Sequence, residues 1–359
     1  MIDRREALGA LTLAAGAALA PLPLHARPRT DTRLPPALSP GDMVGIIAPA
    51  GASGGAERLE RVRHTIAGMG LVPRMGQFVG EQFGYLAGTD AQRASDINTF
   101  YADPEVKALF AIRGGWGCAR LLPLLDWEAI RAHPKLLIGY SDITALHLAF
   151  AARAGFPTLH APNAANSWPR TSWESLWYLA FAGATPLLGP AGVALAGRMP
   201  TAPDGPVTAG ITTITPGRAT GRLLGGNLTV LTALGGSPYL PDFAGAILFL
   251  EDVGEEEYRI DRMLTQLALA GALGRVAGVV FGQCSRCTAP TPPTPGTGFA
   301  LDDILRQHLA PLGVPVFTGA NIGHVRDQLS LPSGALVEMD ADAGTIRPLA
   351  PIVRRIGSD

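Results

Sequence analysis

The chain has 359 residues, enough to bury a substantial core and to divide into two domains. Hydrophobic residues make up 47% and charged residues 16%, with 44 glycines and 31 prolines, which is typical of a loop-rich α/β protein and excludes a disordered chain or a coiled coil. The formal net charge of −1, without any basic patch, gives no reason to expect binding to nucleic acid or to an acidic membrane.

Residues 1–26 have the features of an export signal. Paired arginines, Arg4 and Arg5, precede a short apolar run that ends near Ala26. The arginine pair predicts the twin-arginine route and a periplasmic location, with the cytoplasm as the alternative. Two prolines cut the apolar run short of a membrane-spanning length, so we expect no stable membrane insertion after the signal is removed.

The first half of the chain alternates apolar strands with amphipathic helices. Strands are predicted at 44–49, 72–75, 107–112, 136–138 and 158–161, and helices at about 56–69, 90–101 and 142–150. This alternation predicts a doubly wound parallel sheet over residues 41–165.

The second half predicts another α/β domain, over residues 208–355. Residues 166–207 are predicted to be a linker that begins with an aromatic-rich helical stretch at 168–181, because residues 183–207 are mostly Ala, Gly and Pro with little periodicity. Strands are then predicted at 246–250, 276–281 and 314–317, and helices at about 228–234, 258–270 and 301–309.

Cys284 and Cys287 have C-x-x-C spacing and open a loop rich in Pro and Thr. A structural zinc site needs four ligands, and the sequence holds no second pair. The two cysteines either form a local disulfide or remain free. We expect neither a metal nor an organic cofactor.

Ser141 lies between a predicted strand end and a predicted helix start, in the stretch LLIGYSDITALHLAF. A serine there presents its hydroxyl at a sheet edge, close to helical N–H groups that can stabilise an oxyanion. The position resembles a nucleophile elbow, although Ile143 stands where the motif G-x-S-x-G has its second glycine. The alternative is that Ser141 only caps the helix.

A glycine-rich turn, residues 113–117 with the sequence RGGWG, follows the third predicted strand at the same sheet edge. Ligands bind at this edge in open α/β sheets. The spacing differs from G-x-G-x-x-G, which argues against a dinucleotide site. The glycines either bring backbone N–H groups close to a substrate or only form a tight turn.

Two further polar residues follow buried strands. Glu251 comes after five apolar residues, so its carboxylate needs a partner unless it belongs to the solvated acids of the next loop. His324 follows a strand and a glycine-bearing loop, and His160, at another strand end, is the rival base. Serine hydrolysis needs a hydroxyl, a base and an acid, and Ser141, His324 and Glu251 form such a set.

Six motifs, in chain order, resemble those of the LD-carboxypeptidases, a serine peptidase family that also contains the microcin-immunity hydrolases. The motifs are VGIIAPAG (44–51), AIRGGWG (111–117), IGYSDIT (138–144), GRLLGGNL (221–228), LFLEDVGEEEYRIDRML (248–264) and the GH at 323–324. The resemblance covers roughly residues 41–351. It implies a flavodoxin-like N-terminal domain, a smaller α/β C-terminal domain and a homodimer.

The resemblance also implies a catalytic triad. Ser141 would attack the scissile carbonyl, His324 would take its proton and pass it to the leaving amine, and Glu251 would orient His324. The N–H of Asp142 and one from Gly114 or Gly115 would form the oxyanion hole.

Three more residues are candidate substrate contacts. Arg113 either neutralises a substrate carboxylate or forms a structural ion pair. Trp116 and Asn227 complete the set, since both stand within the resembling motifs.

The implied substrate is a murein tetrapeptide, cut between the L-centre of a diamino acid and a terminal D-Ala. The export signal departs from the family, whose members mostly act on recycled muropeptides in the cytoplasm. One alternative is an immunity-type hydrolase of an aminoacyl-nucleotide conjugate. The others are an exported solute-binding protein and an inactive hydrolase that binds murein fragments.

Overall fold

The computed structural model describes residues 34–195, 210–287 and 298–355. The predicted export signal at 1–26 lies outside the described residues. None of the helices in the described ranges is long and apolar enough to cross a membrane.

Strands and helices alternate through the first half, as predicted. The elements are β1 (Met43–Ile47), α1 (Ala56–Gly68), β2 (Val72–Met75), α2 (Asp90–Ala102), β3 (Val106–Ala111), α3 (Trp127–Ala132), β4 (Leu136–Gly139), α4 (Thr144–Arg153) and β5 (Thr158–His160). Strands β1, β3, β4 and β5 are almost wholly buried, whereas β2 is partly exposed. Continuous apolar runs suit strands that helices cover on both faces.

The second half contains the remaining elements. They are α5 (Arg170–Leu176), β6 (Leu187–Gly189), β7 (Gly192–Ala194), β8 (Thr212–Thr215), β9 (Arg218–Asn227), α6 (Leu228–Ala233), β10 (Ile247–Val253), α7 (Glu257–Leu269), β11 (Gly278–Ser285), α8 (Leu301–Leu309), β12 (Val316–Ala320), β13 (Leu331–Ser333), β14 (Leu336–Asp340) and β15 (Thr345–Pro348).

The first sheet has the strand order β2-β1-β3-β4-β5-β13. Its first five strands are parallel and follow the flavodoxin-like order 2-1-3-4-5. The predicted fold class is therefore confirmed. The sixth strand, β13, comes from the far end of the chain and pairs antiparallel with β5.

The second sheet has the order β7-β6-β15-β14-β9-β10-β11-β12-β8. Its centre, from β9 to β12, is parallel, and the flanking strands pair antiparallel. Strand β10 is buried on both faces except at its last residue. The acidic motif of residues 248–264 therefore begins in the centre of this sheet.

The segment predicted as a linker, residues 166–207, is helical in its first part, as predicted, and forms a hairpin that was not predicted. Helix α5 continues into a π-helical turn at Trp177–Phe181, and β6 and β7 form a hairpin at the edge of the second sheet. Strands of three residues are too short to produce an alternating sequence pattern, so composition alone did not indicate them.

Candidate active site

Ser141 follows β4 directly, on a single 3-10 turn at Ser141–Ile143 that leads into α4. Its backbone φ is +65°, a left-handed conformation that costs a side-chain-bearing residue about 1–3 kcal/mol. No side chain caps α4, so the capping alternative for Ser141 is wrong. The strained turn presents the hydroxyl at the carboxyl end of the first sheet, as a nucleophile elbow does.

A chain of two hydrogen bonds connects Ser141, His324 and Glu251. The distance from Ser141 Oγ to His324 Nε2 is 3.1 Å, and that from His324 Nδ1 to Glu251 Oε2 is 2.7 Å. The Glu251 side chain is fully buried, and that of His324 is 19% exposed. When Nδ1 carries the ring proton, this N–H donates to the Glu251 carboxylate, and Nε2 is free to accept the proton of the serine hydroxyl.

The structure places Glu251 inside β10, whereas the sequence predicted it just beyond the strand end. The pairing register between β10 and β11 shifts at this point, between Leu250 and Asp252. Such irregularities change the direction of nearby side chains. Glu251 is thus held by the backbone of a central strand and not by a loop.

His324 follows β12 on a loop that packs closely on the carboxylate. Gly323 has a φ of +91°, and a Cβ at this position would overlap the Glu251 carboxylate. Ser285 at the end of β11 donates a hydrogen bond from Oγ to the His324 carbonyl, at 2.8 Å. Glycine is therefore required before the histidine, and β11 fixes the histidine backbone.

The turn of residues 113–117 lies against Ser141. A Cβ on Gly114 would lie 2.8 Å from Ser141 Cβ and 3.2 Å from Asp142 N. Only a glycine allows this approach, which places backbone of the turn beside the serine hydroxyl. Gly114 and Gly115 both line the cleft at Ser141.

Asp142 connects the turn at Ser141–Ile143 to the end of the glycine-rich turn. Its carboxylate is buried, and Oδ2 accepts a hydrogen bond from the Cys118 N–H at 2.8 Å. Burial raises the pKa of this carboxyl above its usual range. The sequence predicted a role only for its backbone N–H, and the contact of its side chain was not foreseen.

The rival base, His160, is buried beneath the site. Neither of its ring nitrogens has a hydrogen-bond partner among the described residues. Its ring packs 5.2 Å from Phe249 and 6.1 Å from Tyr140, and burial lowers its pKa well below the usual value. His160 therefore lacks the hydrogen bond to Ser141 that a base needs and that His324 makes.

A cleft of about 760 Å³ opens over Ser141 and His324. Its charged side chains, apart from His324, are all cationic: Arg58, Arg61 and Arg113. Arg113 donates to the carbonyls of Gly114 and Ala52 and has no carboxylate partner among the described residues. The cleft is therefore suited to an anionic substrate.

Two predicted substrate contacts do not line this cleft. Trp116 is 41% exposed on the neighbouring surface. Asn227 is buried, donates from Nδ2 to Asp252 and accepts from the Val230 N–H, and so caps α6. Both polar atoms of this side chain thus have partners outside the cleft, which indicates a structural role.

Cys284 and Cys287 form a disulfide at the end of β11. No group of three or more His, Cys, Asp or Glu side chains within the described ranges could hold a metal ion.

Comparison with known proteins identifies the same two-part architecture. The model of an LD-carboxypeptidase N-terminal domain matches residues 44–161, and that of an LD-carboxypeptidase C-terminal domain matches residues 220–339. A putative carboxypeptidase of Streptomyces coelicolor is 41% identical over 87% of this chain and 94% of its own length. A murein tetrapeptide carboxypeptidase of Pseudomonas aeruginosa is 32% identical over 83% of this chain and 93% of its own.

Solved structures share the fold. The microcin C7 self-immunity protein in complex with glutamyl sulfamoyl guanosine matches with a TM-score of 0.77 at 25% identity, over 89% of this chain and 99% of that one. A muramoyltetrapeptide carboxypeptidase of Oxalobacter formigenes matches with a TM-score of 0.69 at 26% identity, over 85% and 97%.

Proposed function

This chain belongs to the LD-carboxypeptidase family of serine peptidases, and we propose that it releases the terminal D-Ala from murein tetrapeptides. The bond cut joins the L-centre of a diamino acid to D-Ala, and Ser141, His324 and Glu251 are the triad that cuts it. The observation that carries the proposal is the hydrogen-bonded chain of these three side chains at the base of a cationic cleft.

The reaction begins at Ser141. Its Oγ attacks the scissile carbonyl carbon while His324 Nε2 takes the hydroxyl proton. Glu251 stabilises the imidazolium that forms and keeps the ring in the correct orientation. The N–H groups of Asp142 and of Gly114 or Gly115 bind the oxyanion of the tetrahedral intermediate.

The second half of the reaction reverses the proton transfer. His324 gives its proton to the amine of D-Ala, the C–N bond breaks, and an acyl-enzyme on Ser141 remains. His324 then deprotonates a water, which attacks the ester and frees the shortened peptide and the serine hydroxyl.

A carboxypeptidase must also recognise a free chain end. Arg113 is the first residue of the turn 113–117. Its guanidinium donates to two backbone carbonyls and has no carboxylate partner among the described residues. We assign it to the terminal carboxylate of D-Ala, through a charge-assisted hydrogen bond.

A second candidate is hydrolysis of an aminoacyl-nucleotide conjugate. The similarity to the microcin C7 self-immunity protein, solved with glutamyl sulfamoyl guanosine, favours this alternative. Export by residues 1–26 and assembly into a homodimer remain predictions.

Mass spectrometry of a disaccharide tetrapeptide after incubation tests the proposal. We expect wild-type protein to release one D-Ala, and Ser141→Ala to release none. Ser95→Ala on the exposed side of α2 is the matched control and should be fully active. Absence of release by wild type, with cleavage of a glutamyl sulfamoyl nucleoside, would favour the second candidate.

A further inference from the structure

Helix α1 presents a second cationic surface to the cleft. Arg58, Arg61 and Thr65 all line it, at positions i, i+3 and i+7, which fall on one face of a helix. None of these residues lies within the six motifs that predict the site. The helix follows the turn after β1, so this face borders the same sheet edge as Ser141.

The two arginines differ in their partners. Arg61 forms an ion pair with Glu57 at 2.6 Å. Arg58 has no hydrogen bond or ion pair with any other described residue, although it is half-buried. It lies in the first turn of α1, where the helix dipole disfavours a cation, so its position is not explained by helix stability.

The loop before α1 holds the Arg58 guanidinium. A Cβ on Gly54 would lie 3.0 Å from Arg58 Nη1, so the guanidinium packs directly on that glycine. The same loop supplies the Ala52 carbonyl that Arg113 contacts at 3.3 Å. One short loop thus supports two guanidinium groups that lack carboxylate partners among the described residues and that line one cleft.

We propose that Arg58 is a specificity-determining residue that binds a second free carboxylate of the substrate, on the acyl side of the scissile bond. The inference rests on the proposed function, in which Arg113 takes the carboxylate of the leaving D-Ala. A guanidinium donates two parallel N–H hydrogen bonds to a carboxylate. It therefore prefers a substrate with a carboxylate at this position to one with a neutral or cationic group there.

Two carboxylates of a murein tetrapeptide have this chemistry. One is on the side chain of the diamino acid, when that residue is diaminopimelate and not lysine. The other is the free carboxylate of the preceding glutamate. Three synthetic tetrapeptides distinguish them: one with both carboxylates, one with the diaminopimelate carboxylate amidated, and one with the glutamate carboxylate amidated.

The experiment measures kcat and KM for D-Ala release from each peptide, with wild type, Arg58→Gln and Arg58→Lys. For the peptide with both carboxylates, Arg58→Gln should lower kcat/KM about 10- to 100-fold, mainly through KM. Amidation of the carboxylate that Arg58 binds should lower wild-type kcat/KM by a similar factor. With that amidated peptide, Arg58→Gln should cause no further fall in kcat/KM. Arg58→Lys should recover part of the loss, because it restores the charge but not the bidentate geometry.

Arg63→Gln is the matched control. Arg63 lies on the same helix, is paired with Glu60 at 3.7 Å and does not line the cleft, so its loss should leave all three rates unchanged. An equal effect of Arg58→Gln on all three peptides, or no effect on any, would overturn the inference.

Binding to the Ser141→Ala variant separates this inference from the proposed function. If wild type releases no D-Ala from any peptide, the proposed function fails. Calorimetric binding that requires one carboxylate and is lost with Arg58→Gln would then still support the subsite. Binding without that dependence, or no binding, would overturn it.

Discussion

The two sheets contribute to the proposed active site in different ways. The first sheet supplies Ser141 and its neighbouring N–H groups through local backbone geometry, with a left-handed φ at the serine and a glycine packed against it. The second sheet supplies Glu251 and His324 through a buried side-chain contact between β10 and the loop after β12. Backbone shape therefore controls one half of the site and side-chain burial the other.

The largest effect on kcat is expected from Glu251→Gln, in the second sheet. The amide would favour the wrong imidazole tautomer and could not stabilise the imidazolium, so kcat should fall about 10³- to 10⁴-fold. Steady-state release of D-Ala measures this fall. Glu256→Gln, an exposed acid at the start of α7, is the control and should be unaffected. A fall of less than tenfold would remove Glu251 from the triad.

A smaller effect is expected in the first sheet, from Gly114→Ala. The added methyl would push against Ser141 Cβ and displace an oxyanion donor, and the loss of one such donor typically costs about 10²- to 10³-fold in kcat.

Gly68→Ala at the end of α1 is the matched control for this substitution. A Cβ there meets no atom within 4 Å, so the variant should keep wild-type activity. Equal activity of the two variants would mean that backbone shape at residue 114 does not control the nucleophile.

Asp142→Ala tests the connection between the two turns of the first sheet. The buried Cys118 N–H would lose its acceptor, which should lower the free energy of unfolding by about 1–3 kcal/mol. Urea unfolding measures this change. Asp302→Ala, which removes a surface ion pair with Arg306, should cost less than about 1 kcal/mol. Similar losses in both variants would argue against a special role for the buried bond.

The smallest effect is expected at His160, which packs on Phe249 of the second sheet and whose substitution should alter only the pH dependence of stability. Burial lowers the pKa of His147 to about 4 and that of His160 well below its usual value. In the unfolded chain both titrate near 6.5, so as the pH falls below that value the unfolded state binds more protons. The free energy of unfolding should therefore decrease on acidification, by up to about 1.4 kcal/mol per pH unit for each histidine.

His160→Phe should flatten this pH dependence without removing a hydrogen bond among the described residues. Thermal unfolding between pH 7.5 and pH 5 measures the slope. His64→Gln, an exposed site, should leave the slope unchanged. A wild-type slope in His160→Phe would show that another group causes the acid sensitivity.

Periodicity predicted much of the fold, because buried strands of parallel sheets appear in the sequence as continuous apolar runs between amphipathic helices. Strand β2 and helix α8 have the predicted bounds, and α1 differs from its prediction by one residue. The pairing of β13 with β5 was not predicted, because β13 is short and its partner lies far away in the chain. Pairing over such a distance leaves no local pattern.

The site was partly predictable for the same reason. Ser141 has a local sequence pattern, and the positions of Glu251 and His324 follow from strands that end at one edge. Their contact could not be derived from the residues alone, since it depends on a register shift in β10. Arg58 was overlooked because a surface helix with several arginines has an ordinary charge pattern.

Strand β13 has a consequence for the order of assembly during synthesis. It pairs with β5, the neighbour of the strand that leads into Ser141, and yet it is made only after almost the whole chain. On the ribosome the first sheet therefore remains incomplete, with β5 an unpaired edge, until residue 333 has emerged. A chain released before residue 324 would hold Ser141 without His324 and should not cleave the substrate.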